Sequence, residues 1–193
     1  MAQDPAADVT AALRASIGGL DPAGADLGTL LEQTMDAIRS VLRVTGAGLM
    51  MLDEQQRLRY VGSSDEGGGA LEAAQLRHGI GPGFDSLATR GTVSTPDITA
   101  DPAYHSLHAA GDLNGAGIRA VLAAPVSVAG QPVGVLDLYR ADARSWTEED
   151  EAGARAFADV LATLLRAAVQ SRHQDALVRR LQLLLDPFRS GPQ

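Results

Sequence analysis

Two histidines in the run Tyr104-His105-Ser106-Leu107-His108 stand three residues apart, on one face of a helical turn. Imidazole nitrogens so placed can serve a small ligand, a metal ion or haem iron. No acidic residue accompanies them at metal-ligand spacing, so no metal site is expected and surface or pocket-rim roles come first. Gly79-Ile80-Gly81-Pro82-Gly83 precedes a short helical run, where backbone N–H groups could hold a phosphate or carboxylate. The loop holds no basic residue, and its glycines serve as well for left-handed turns around Pro82. Asp85 and Ser86, just beyond it, could face a pocket or water. Arg119 and Asp137 lie on the two strongest β-like runs; each could bind an opposite charge, or they could pair across a sheet. Alternation separates Ile118, Ala120, Leu122 and Ala124 from Arg119, Val121, Ala123 and Pro125, and leaves open which set faces a pocket. No Ser-His-Asp arrangement, paired-carboxylate motif or phosphate loop is present, so no catalytic residue is expected and the chain reads as a non-enzyme.

Composition narrows the chemistry further. The chain has 193 residues, no cysteine and, among its basic residues, arginine alone. Without cysteine there is no disulfide, thiolate nucleophile, Cys-ligated metal or thioether-linked chromophore. Without lysine there is no Schiff base and no Walker-type phosphate loop. A net charge of −8 works against binding a phosphate backbone, so no nucleic-acid partner is expected. The first ten residues resemble neither a signal peptide nor an anchor, and no apolar stretch is long enough to span a bilayer. No membrane partner and a cytoplasmic location follow as expectations.

The elements that must position these residues can be read from periodicity. Residues 1–26 read as a flexible or weakly helical arm. Leu27, Leu30, Leu31, Met35, Ile38, Val41 and Leu42 recur at helical spacing. Gly46–Leu52 and Leu58–Ser63 read as a hairpin. Two short helices, Ala70–Arg77 and Phe84–Thr89, an edge strand within Thr92–Ile98, and a helical or loop segment Ala103–Gly117 come next. Ile118–Val128 and Pro132–Tyr139 flank the tight connection Ala129-Gly130-Gln131 and should form the centre of the sheet. Trp146-Thr147-Glu148-Glu149-Asp150 opens a long helix to about Leu185, with Asp186-Pro187 as its stop. Helix, hairpin, helical insert, edge strand, hairpin and long helix together predict an α+β domain: an antiparallel sheet with helices on one face.

Residues 118–142, followed by Trp146–Asp150, resemble the closing part of a GAF domain. The phrases Leu122-Ala123-Ala124-Pro125-Val126 and Gly130-Gln131-Pro132-Val133-Gly134-Val135-Leu136-Asp137-Leu138 are similar to that family's strand pair. Gly79–Gly91 resembles a segment of actinobacterial GAF proteins, with Gly83 where a cysteine often stands. The resemblance covers residues 27–169, with 170–193 as a helical extension and tail. It implies that the insert roofs a ligand pocket, which makes Tyr104, His105 and His108, with Asp85 and Arg119, the candidate ligand contacts. Tyr139-Arg140 replaces the Asn-Lys half of the signature in nucleotide-binding members, so cyclic GMP is not expected. Arg140 should instead pair with Asp150 and lock the last strand to the long helix. Family members that bind RNA through an ANTAR module, reduce methionine sulfoxide with cysteines or attach bilins covalently have chemistry this sequence does not carry.

In the long helix, Phe157, Val160 and Leu164 fit a heptad frame that meets polar Ser171 and Gln174 and resumes with Val178 and Leu181. The expectation is a homodimer joined through its first and last helices, converting occupancy by an unknown small molecule into a change passed to another protein. A ligand-free interaction or dimerisation scaffold is the first alternative, and a haem-based gas or redox sensor using one of the histidines the second. A helix that folds back near Ser171–Asp175 is the alternative to a continuous one.

Overall fold

The computed structural model describes residues 25–111, 113 and 115–189, with side chains for 31, 34–111, 113 and 115–168. The expected Val178 and Leu181 contacts therefore lie outside the described side chains.

Apolar residues on one stripe of α1 (Ala25–Leu42) cover the sheet with Leu31, Met35 and Ile38. The hairpin β1 (Gly46–Leu52) and β2 (Leu58–Ser63) follows, joined by a loop in which Asp53 accepts backbone N–H bonds from Gln55 and Arg57. Helix α2 (Glu66–His78) begins four residues earlier than glycine content alone suggests. Asp65 caps it, accepting from the Gly68 N–H, and Glu66 meets the positive end of the helix dipole; these offset the entropic cost of Gly67–Gly69. Gly79, left-handed at φ 66°, closes α2. Pro82 starts α3 (Pro82–Thr89), β3 is the short strand Val93–Thr95, and α4 is a single turn and a half, His105–Ala109.

Strands β4 (Ala120–Val128) and β5 (Gln131–Arg140) meet through Ala129 and Gly130, both at positive φ, the twist a two-residue hairpin turn requires. The sheet order is β2-β1-β5-β4-β3, every neighbour antiparallel. Helix α5 (Glu148–Arg189) closes the described chain. It runs unbroken through Ser171–Asp175, so the fold-back alternative does not hold, and it does not stop at Asp186-Pro187. A proline in a final turn forfeits little of the hydrogen-bond ladder, unlike one in a helix interior.

The α+β class and antiparallel sheet are as the pattern implies, but helices cover both faces of the sheet. The long helices α1 and α5 share one face, where Ala47, Leu49, Leu122, Ala124, Leu136 and Leu138 meet Met35, Ile38, Leu161 and Leu165. The short helices α2–α4 cover the other, over Met50, Val121, Ala123, Val135 and Tyr139. The reason is that β4 and β5 are apolar at successive positions, so neither face can be left to water. Among the described residues no helix is long and apolar enough to cross a membrane.

Candidate functional site

Strand β5 presents Val135, Asp137 and Tyr139 to the insert face, and its Leu136 and Leu138 to the long helices. In the row that crosses the sheet at Asp137, the neighbours are Gly48 on β1 and Ala123 on β4. These small residues leave a slot, and α2 fills it. A Cβ on Gly48 would collide with the Glu72 carboxyl, and one on Gly83 would lie 2.8 Å from Asp137 Oδ2. Glu72, Gln75 and Asp137 are all fully buried.

Gln75 organises the cluster. Its Nε2 donates to Asp137 Oδ2 at 2.7 Å and to Glu72 Oε2 at 3.3 Å, while its Oε1 accepts from the Gly83 N–H at 2.8 Å. That last bond consumes an N–H of the glycine loop, and Gly81 is itself packed against the Gln75 side chain. The loop is therefore a latch on α2, and the Gly83 N–H is not open to an anion.

Two buried carboxyls side by side cannot both ionise at modest cost. Burial and the neighbouring Asp137 charge push Glu72 well above the usual carboxyl range, which favours its protonated form. Burial raises Asp137 as well, to about 6, against the hydrogen bond from Gln75 that favours its ionised form. Glu72 Oε1, Asp137 Oδ1 and Thr95 Oγ1 are buried with no hydrogen-bond partner among the described residues. Thr95 stands opposite Val121, on the same face. The arrangement can hold and release a proton, and its oxygens suit a hydrogen-bond-donating or cationic group.

Two tyrosine–aspartate bonds flank the cluster. Tyr139 donates to Asp65 at 2.9 Å, and Tyr104 donates to Asp85 at 2.7 Å. Burial first, and then the carboxylate beside each, raises both phenols above their ordinary range. Tyr104 and Asp85 are thus brought together at the edge of the insert. His105 is exposed and His108 half-buried, because Leu107 between them is the residue α4 turns inward. Ser86 is buried and bonds the Gly91 carbonyl at 2.8 Å, closing α3 rather than facing a site.

Arg119 does not reach the cluster, nor does it pair with Asp137. Strand β4 starts at Ala120, and Arg119 turns to the edge, where its Nε and Nη2 bond the Asp97 carboxylate. That pair holds Asp97 well below the usual carboxylate range. Ile118 fills the insert core in its place. Arg140, at 3% exposure, meets Asp150 in a two-pronged pair of 2.7 and 3.2 Å and lies 4.0 Å over the Trp146 ring.

Sequence reading missed Glu72 and Gln75. The signals present are Gly46-x-Gly48, alternate glycines that open one face of a strand, and Asp137, a lone charge inside an apolar strand.

A five-stranded antiparallel sheet with a polar cluster under a helical insert, and two long helices behind it, defines a small α+β domain. The GAF domain family model matches residues 26–165, and the chain belongs to that family. Solved structures agree in fold. The free methionine-R-sulfoxide reductase of Neisseria meningitidis, solved with its substrate, is 18% identical, with a TM-score of 0.58 over 89% of this chain and 96% of that one. The GAF domain of an Acinetobacter phosphoenolpyruvate-protein phosphotransferase is 18% identical, with 0.56 over 87% and 96%. GAF3 of a Synechocystis protein, in its photoproduct state, is 19% identical, with 0.57 over 77% and 99%. No curated protein matches the chain.

Proposed function

We propose that this GAF domain is a non-catalytic signalling module. It takes a small molecule between sheet and insert, and it passes occupancy to the long helices of a homodimer and thence to another protein. The observation that carries the reading is the buried Glu72–Gln75–Asp137 cluster, with carboxyl oxygens that no donor among the described residues satisfies. A ligand bearing an ammonium or other hydrogen-bond donor would satisfy them. A substrate complex of a protein of the same fold supports use of this architecture for small molecules. With no cysteine, the chain lacks the thiols of the family's reductases.

The route outward is short. Asp137 sits between Leu136 and Leu138, which pack on the long helices, and three residues from Arg140, which is tied to Asp150 at the start of α5. A shift of β5 toward or away from α2 therefore loads α5 directly. On α5, Ala154, Ala158, Leu161 and Leu165 face the sheet, while Val160 is 47% exposed and Leu164 half-buried. Phe157 leans into its own core rather than standing free. Val41 on α1 is 65% exposed. Val41 and Val160 are the apolar positions we assign to the partner protomer.

A ligand-free dimerisation module is the second reading, favoured by the close fit of Glu72 against Gly48. Native mass spectrometry of freshly purified protein decides between them. A dimer carrying extra mass supports the ligand-binding module, a bare dimer that no amine-bearing compound stabilises supports the scaffold, and a bare monomer overturns both.

A further inference from the structure

Away from the buried cluster, the β1–β2 hairpin and the helices α2 and α3 enclose an open groove of about 510 Å³. Leu52 and Leu58, partners across the hairpin, form one wall; Leu76, Phe84 and Leu87 form the other. These residues continue the core cluster of Met50, Ala123 and Val135 outward, with Leu52, Leu76, Phe84 and Leu87 only half-buried. Clefts of ~300–1,000 Å³ with mostly apolar walls are the usual size for small organic ligands.

The end of the groove at the hairpin is cationic. Arg57 and Arg59 both line it, with side chains 62% and 53% exposed, and both lean on one carboxylate, Asp53. Asp53 is nearly buried and is held down to about 2, chiefly by the backbone N–H of Arg57 and with the Arg59 guanidinium contributing, so it stays ionised. Two guanidinium groups against one carboxylate leave a surplus positive charge, in a chain whose net charge is −8. Arg59 spends its Nε on Asp53 at 2.8 Å, and among the described residues its two terminal nitrogens have no protein acceptor. The arginine is thus braced, with its outer edge turned to whatever enters. A braced guanidinium edge at the mouth of an apolar trough fits a carboxylate head on an aliphatic tail.

We propose that this groove binds a free medium-chain aliphatic carboxylate, its head on Arg59 and Arg57 and its tail along Leu58, Leu76, Phe84 and Leu87. The site is separate from the Glu72–Asp137 cluster and stands or falls independently of it. The test is isothermal titration of the full chain with decanoate, kept below its micelle-forming concentration, with decanol and acetate as controls. Expected are one saturable site per chain and about tenfold or greater weakening when the head charge is removed, as a charge-assisted hydrogen bond implies. Arg59→Gln should weaken decanoate to a similar degree, Arg59→Lys less, and Leu87→Glu should abolish binding by setting a like charge in the trough. Glu72→Gln should leave it unchanged. Amide shifts on the unmodified protein, confined to residues around Leu58, Leu76, Gly79 and Leu87, locate the site without relying on variants. Equal binding of decanol and decanoate, shifts elsewhere, no saturable heat, or association only with anionic phospholipid vesicles or an acidic peptide would each overturn the proposal.

Discussion

Glu72 of α2 and Asp137 of β5, remote in sequence, lie side by side in the interior, fully buried and bridged by one glutamine amide. Two buried carboxyls at such range cannot both ionise at modest cost, which makes the fold itself sensitive to pH.

In the unfolded chain both carboxyls titrate near their ordinary values of about 4. In the folded chain both are raised, Asp137 to about 6 and Glu72 well above its usual range. The folded state therefore binds more protons than the unfolded state across this window. Their stabilising contribution is complete below about pH 4 and is lost as pH rises through about 6 and beyond. Asp53 and Asp150, lowered to about 2, contribute with the opposite sign, but only below about pH 4. Urea denaturation between about pH 4.5 and 8.5 should show stability falling with pH. Glu72→Gln, which mimics the protonated acid, should flatten the slope and leave stability at pH 8 equal or higher. A variant as destabilised at pH 8 as at pH 5 would show that the pair takes up no proton on folding.

Arg140 is buried at the junction of β5 and α5, paired with Asp150 and stacked on Trp146. Arg140→Met removes the cation and leaves a partly buried carboxylate, so a loss of ~2–4 kcal/mol is expected. Trp146 fluorescence should shift as the guanidinium leaves the ring. Arg140→Met with Asp150→Asn should recover part of the loss in a double-mutant cycle.

Gly134 crosses β1 so closely that a Cβ would collide with the Met50 carbonyl and the Met51 sulfur. Gly134→Ala forces a backbone shift at the sheet centre, and a loss of ~2 kcal/mol or more is expected. Gly62, on the edge strand, has open space at its Cβ, and Gly62→Ala should change stability by less than ~0.5 kcal/mol. Thermal unfolding of the two variants checks the contrast.

Val160→Glu places a charge on the exposed side of α5, away from Leu161 and Leu165. If α1 and α5 form the protomer interface, the variant should run as a monomer in light scattering with its unfolding transition otherwise intact. An unaltered mass would remove Val160 from the interface.

Much of the fold was legible because local rules wrote it. The bounds of β1 and β2 follow from two short β-like runs joined by a polar loop, and Ala129-Gly130 sits where a tight hairpin demands positive φ. Arg140 and Asp150 are near in sequence across a strand–helix junction, so their meeting was also readable. The start of α2 was not, because Asp65 capping outweighs three glycines only when the helix packs on β1. Arg119 shows the limit of parity: alternation places it with Val121, but the ladder begins at Ala120, and Asp97 claims its guanidinium.

By itself, the sequence determined the elements, their order and the chemistry this chain lacks, since thiols and lysines are absent whatever the fold. Only the tertiary structure decided which carboxyls are buried together. Helix periodicity places Glu72 one residue from Leu71 and Gln75 one from Ala74, at the border of an apolar stripe, where solvent and interior are equally open to them. The slot left by Gly48 and Ala123 beside Asp137 settles the choice, because it is made by three strands that meet only in the folded sheet.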